Sequence, residues 1–293
     1  MYQFTTAREL LTICARESAG IAEITIRSEM EASGQTREYV WSKIEGHYQV
    51  MRESINRGLV PGLKSLGGLI GGNADQLYQY MQKDCISGRT VAKAASYALA
   101  VTEVNASMGK IIAAPTGGAS GILPGVIAAL AEDREMADEI AVKALLVGGA
   151  IGKIIASQAT LSGAEGGCQA ECGSAAAMGA AAVVYMAGGS AEMSVDAASI
   201  ALKGLLGLVC DPVAGLVEVP CSKRNATGVA HAIICADMAL AGITSFIPLD
   251  EVAEAMARVG KAMSPALRET ARGGCATTPT ALAYTQKLNG SNQ

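Results

Sequence analysis

Ser174-Ala-Ala-Ala-Met-Gly-Ala-Ala-Ala-Val-Val-Tyr-Met-Ala-Gly-Gly189 is the most apolar run of the chain and carries no charge. It is shorter than the roughly 20 residues a membrane-spanning helix needs. The run predicts a buried helix, over about 170–187, whose small side chains let neighbouring helices approach closely. The rest of the composition agrees. Half of the 293 residues are hydrophobic (50%), aromatics are only 4%, and there are 34 glycines. The mean hydropathy of +0.30 raises the question of a membrane. The other apolar stretches carry Lys143, Lys153 or Lys203 in mid-run, so they too read as core helices, and no membrane is expected.

Outward from that run, helices separated by Gly/Pro loops are expected near residues 124–130, 136–157, 196–207, 227–241 and 249–263. The first third has polar-faced helices. Thr6-Ala-Arg-Glu9 is a capping box opening a helix to about Glu17. A longer helix over about 37–56 aligns Val40, Ile44, Tyr48 and Met51 on one stripe and stops at Gly58 and Pro61. Helical periodicity resumes at about 74–83 and 90–107. Strand signals are few, with 215–220 the best candidate for a short extended piece. The expected fold is all-α: a single domain over 1–293, its polar N-terminal helices (about 1–60) packed on an apolar helical core. The net charge of −4 gives no basic footprint for nucleic acid. The start, Met1-Tyr-Gln-Phe-Thr-Thr6, lacks a basic-then-apolar leader, so a cytoplasmic location is expected. Eight cysteines in such a chain do not suggest a disulfide framework. Cys14 and Cys235 fall inside helix patterns and read as core packing.

The other cysteines sit in different company. Cys168 stands in Gly163-Ala-Glu-Gly-Gly-Cys-Gln-Ala-Glu-Cys-Gly173, and Cys210 and Cys221 bracket Cys210-Asp-Pro-Val-Ala-Gly-Leu-Val-Glu-Val-Pro-Cys221. Thiolates are the ligands of iron–sulfur clusters and soft metals. No ferredoxin C-x2-C-x2-C run is present, and His47 and His231 alone make a zinc site poorly supported. From the residues alone, a three-cysteine cluster and ordinary core packing both stand. A cubane held by three thiolates would leave one iron free to act as a Lewis acid. Pro115-Thr-Gly-Gly-Ala-Ser-Gly121 can aim backbone N–H groups at an anion, or be a tight loop. A phosphate cradle for pyridoxal phosphate is weak without alternating strands and helices. Lys110, Lys223 and Arg224 are the nearest cations, with Arg224 favoured for a carboxylate by its fork. Each also reads as a surface charge. Glu165 and Glu171 flank Cys168 and could accept a proton or brace the loop. His231 and Cys235, spaced i, i+4, read as packing.

These motifs, together with Met108-Gly-Lys-Ile-Ile-Ala-Ala-Pro115 and Lys223-Arg-Asn-Ala226, closely resemble the catalytic α subunit of bacterial iron–sulfur-dependent L-serine dehydratases. The resemblance covers essentially the whole chain. It implies a [4Fe–4S] cluster on Cys168, Cys210 and Cys221, with L-serine bound at the open iron and no pyridoxal phosphate. Cys172 is then a neighbour and Cys275 has no assigned role. Substrate is expected at Thr116, Gly117, Gly118, Ser120, Gly121, Arg224 and Asn225, and the base stays unnamed, with Glu165 and Lys110 as candidates. Single-chain relatives carry a Ser-Ser-His-Thr segment that this sequence lacks, so a separate β chain is expected, as is an oligomer. The terminal cysteine of some relatives has no counterpart in Asn289-Gly-Ser-Asn-Gln293. The competing reading is a non-catalytic iron–sulfur sensor, which would not need the 116–121 loop.

Overall fold

Local sequence sets the first elements. In the computed structural model, which describes residues 1–290, the Thr6 hydroxyl accepts from the Glu9 N–H and opens α1 (Ala7–Glu17). The Glu9 carboxylate reciprocates to the Thr6 N–H, completing the expected capping box. α2 (Ile21–Ser33) lies outside the helices expected from sequence. It starts at Gly20 without a side-chain cap, and its buried Ile21, Ile24, Thr25 and Ile26 are β-branched, which dilutes a local helix signal. α3 (Arg37–Gly58) is capped by Thr36 and runs to the expected glycine.

The remaining helices are α4 (Asn73–Tyr80), α5 (Arg89–Ala106), α6 (Ile122–Asp133), α7 (Asp138–Gln158), α8 (Gly163–Gly166) and α9 (Ser174–Met186). α10 (Ala191–Gly204), α11 (Cys221–Leu240), α12 (Leu249–Ala262) and α13 (Pro279–Gly290) complete the order. The described residues form a single all-α domain with no strand, and the one bridge joins Cys210 to Arg268. The expectation of an extended piece at 215–220 is therefore corrected. Ala214 and Gly215 are both left-handed, and they curl the chain through a 3₁₀ turn (Val213–Gly215) instead of extending it. That curl carries the Glu218 carboxylate to Ser65 Oγ and to the N–H groups of Gly67 and Leu69.

α9 is the centre. All but one of its residues are buried, and α6, α7, α10 and α11 pack around it. α5 lies outside α6 and α11, close enough that a Cβ on Gly125 would stand 2.7 Å from the Ala94 carbonyl oxygen. Glycine is required there by approach distance. One continuous core joins Phe4, Leu10 and Ile24 of the N-terminal part to Ile151, Ala180 and Met256. α7 is long and apolar enough to cross a membrane, yet most of it is buried in this core.

The orientation of four helices decides where chemistry can occur. Thr90 at the start of α5 donates to Asp133 at the end of α6, so these two run antiparallel. α6, α9 and α11 all begin at the other end, where Asn225 on α11 bonds the loop that leads into α6. Three helix N-termini thus face one region, and their dipoles favour negative charge there.

Candidate active site

Cys168, Cys210 and Cys221 meet at that region from three separate elements. Gly167, with φ +77°, turns the chain out of α8, and Cys168 then begins a helical stretch that passes through a π segment (Gln169–Gly173) into α9. π segments inside helices occur frequently at functional sites. Cys210 lies in the segment bridged to Arg268. Cys221 is the first residue of α11. Their exposures of 3%, 4% and 8%, with 1% for Cys172, show that all four thiols are withdrawn from solvent.

Their electrostatics differ. Cys168 is held below the usual thiol range, chiefly by a hydrogen bond from Cys172, with the Arg224 charge assisting against burial. Cys172 is correspondingly raised, first by that bond and then by burial. Burial, followed by the charges of Cys168 and Glu171, pushes Cys221 up to about 12. Burial and Glu171 likewise raise Cys210. Of the four, Cys168 alone is shifted toward the thiolate.

Glu171, in the π segment, faces the same space. Its Oε1 accepts from the Thr116 hydroxyl at 2.6 Å, and its Oε2 is 3.6 Å from Cys210 Sγ. Burial is the main cause raising its pKa. Gly163 and Gly118 make room for it: a Cβ on Gly118 would stand 3.0 Å from Oε1, and one on Gly163 would collide with Oε2. The 115–121 loop carrying Thr116 is fixed from behind. Asn225, fully buried, donates to the Gly118 and Cys221 carbonyls and accepts from the Gly121 N–H. Ser120 Oγ is spent on the Gly117 carbonyl. The N–H groups of Gly117 and Gly118 have no acceptor among the described residues.

A second layer comes from the C-terminal part, which nothing in the local sequence connects with the site. Cys210 N–H donates to the Leu267 carbonyl, and Glu269 N–H donates to the Cys210 carbonyl. Asp211, buried, accepts from the Cys275 N–H at 2.6 Å, and its Oδ1 lies 2.9 Å from Arg224 Nη1. Arg224 also donates to the Val209 carbonyl, and its charge faces Cys168. The exposed Cys275 thus sits one residue layer from the buried thiols.

The sequence candidates separate on this geometry. Thr116, Gly117, Gly118, Arg224 and the three cysteines come together, and Ser120, Gly121 and Asn225 hold the loop behind them. Glu165 and Lys110 do not join them. Both are exposed, and neither side chain makes a hydrogen bond or ion pair among the described residues. Lys223 is exposed as well. Glu171 is the carboxylate that reaches the site. His231 bonds the Ala201 carbonyl and Cys235, which agrees with packing. The terminal stretch 291–293 lies outside the described residues.

The donor set is one of buried thiols, the ligand type of iron–sulfur groups. Among the described residues, no three His, Cys, Asp or Glu side chains converge as they would on a single metal ion. Cys168, Cys172, Cys210 and Cys221 nevertheless lie close enough to perturb one another's pKa, and all four are buried soft donors. The hydroxyls of Ser174 and Ser222, close in sequence to Cys172 and Cys221, are buried without a hydrogen-bond partner. Fold and site together define an all-α protein with a buried cysteine-lined centre at converging helix N-termini. The chain belongs to the serine dehydratase alpha chain family, whose match spans residues 16–276. It is 47% identical to the probable L-serine dehydratase alpha chain of Bacillus subtilis, over 98% of this chain and 96% of that one. It is 45% identical to the L-serine dehydratase alpha chain of Peptoniphilus asaccharolyticus, over 94% of each. The L-serine dehydratase of Streptomyces coelicolor is 37% identical over 94% of this chain but only 61% of its own length.

Proposed function

We propose that the chain is the α subunit of an L-serine dehydratase, eliminating water from L-serine to give pyruvate and ammonia. The observation that carries this reading is the union of three buried thiols with a loop offering two unpartnered N–H groups. Cys168, Cys210 and Cys221 would hold a [4Fe–4S] cluster, with Cys172 as hydrogen-bond donor to Cys168. When bound, such a cluster with one iron free of protein supplies a Lewis acid for the serine hydroxyl.

The residues of this chain do the rest. The Gly117 and Gly118 N–H groups and Arg224 receive the substrate carboxylate, and the dipoles of α6, α9 and α11 add to that attraction. Glu171 takes the α-proton on Oε2, a role for which burial keeps its proton affinity high. Thr116 holds the other carboxylate oxygen and sets its direction. Aminoacrylate released in this way tautomerises to the imine and hydrolyses. A sensor would leave the two glycine N–H groups without a use.

The names of the relatives support a β chain as partner in a larger oligomer, and the longer relatives support it further, since this chain accounts for only 61% of the Streptomyces protein. Eight free thiols support a cytoplasmic location. Anaerobic reconstitution with iron and sulfide, with the β chain present, tests the reading. A brown protein whose visible absorbance changes on adding L-serine, and which forms pyruvate, is expected. A colourless iron-free protein, or one indifferent to serine, overturns it.

A further inference from the structure

The four helices that frame the thiol centre open a cleft of about 420 Å³ at their opposite ends. Its floor is apolar: Val91 of α5, Val126 and Leu130 of α6, Val183 of α9 and Ile233 of α11. A cavity of this size lies in the range of small-molecule sites. Two of its polar residues are already committed. Asp133 accepts from Lys93 and from Thr90 at 2.7 Å, closing the α5–α6 corner. The other two are not. Arg134 and Asp237 line the same cleft, both exposed, and neither side chain has a hydrogen bond or ion pair among the described residues. The helix ends add a sign. Arg134 caps the C-terminus of α6, so its own charge answers that helix's dipole, while the C-terminal ends of α9 and α11 favour an ammonium beside Asp237.

We propose that this cleft binds a free α-amino acid with a branched aliphatic side chain. The ammonium group meets Asp237 and the helix C-termini, the carboxylate meets Arg134, and the side chain covers the apolar floor. Each part of the cleft matches one part of that ligand. A simple hydrocarbon would leave both charges unused, and a polar amino acid would leave the floor wet. The site needs neither the cluster nor the reaction proposed above, so it stands or falls separately.

Isothermal calorimetry on the full chain, alone and with its β partner, tests this with L-leucine, L-leucinamide and 4-methylpentanoate. L-leucine is expected to bind and to raise the melting temperature. The two analogues, each lacking one charge, are expected to bind at least about tenfold more weakly, since each forfeits a charge-assisted hydrogen bond. Arg134→Ala and Asp237→Ala should fold normally, being exposed, and should each weaken leucine by a similar factor. No heat from L-leucine at 10-fold its expected millimolar range, about 10 mM, overturns the proposal. So does equal affinity for leucinamide, or binding that survives both substitutions.

Discussion

Cys172 and Cys168 show how two identical side chains one helical turn apart acquire different roles. Cys172 donates to Cys168, which lowers the acceptor's pKa and raises the donor's. Replacing Cys168, Cys210 or Cys221 by Ala is expected to abolish anaerobic iron binding. Cys172→Ala should retain most of it, as read by iron and sulfide content. Glu171 gives the second test at this scale. Glu171→Gln keeps the Thr116 bond and the volume but cannot take a proton, so kcat should fall by about 100-fold or more with iron content unchanged. Thr116→Val removes the hydroxyl that serves a buried carboxylate. It should destabilise by about 1–3 kcal/mol in urea unfolding. Along the chain Glu165 and Glu171 look alike, because both flank Cys168. Only the π segment and the room left at Gly118 and Gly163 decide between them, and neither is visible in residue types.

Among the elements, α5 and α6 are tied at one end by Lys93, Thr90 and Asp133, the first almost entirely buried. Burial pushes the Asp133 carboxyl up, but its bonds from Lys93 and Thr90 outweigh this and hold it below the ordinary carboxylate range. A depressed folded pKa contributes stability that is complete above the unfolded value, about 3.9 for Asp. That contribution is lost as pH falls through the lower folded value. Stability of the wild-type chain should therefore drop below about pH 4, whereas Asp133→Asn should be less stable at neutral pH with a shallower acid dependence. Thermal unfolding from pH 7 to pH 3 reads both. Helices with strong local signals are legible in the residues themselves: the Thr6 capping box, the stripe of α3 and the Ala-rich α9. α2 is not, because packing of its β-branched residues, rather than a cap, holds it in place. The 215–220 segment misleads for a related reason. Its Val-Glu-Val pattern suggests extension, while the left-handed Ala214 and Gly215 at its start force a turn.

At the scale of the whole molecule, the site is assembled from residues more than a hundred positions apart, from Thr116 to Cys275. The thiol set can be picked out along the chain because glycine and proline mark its loops. Its closure by residues 265–275 cannot, since most of those contacts run through backbone groups that any sequence possesses. Leu267 and Glu269 grip both faces of Cys210, and the Cys275 N–H fastens Asp211, which in turn lies against Arg224. This segment adds little to the main core, whose residues end at Met256. Ending the chain after Met263 should therefore leave helical circular dichroism close to the wild type. It should, however, free Cys210 and Asp211, so that anaerobically reconstituted protein holds less iron and loses it faster in air. Alanine at Cys275 alone preserves the backbone donor to Asp211 and is expected to behave nearly as the wild type. If the truncated chain kept its iron as firmly as the intact one, residues 265–275 would have no part in holding the centre, and Cys210 would have to be fixed by α8 and the π segment alone.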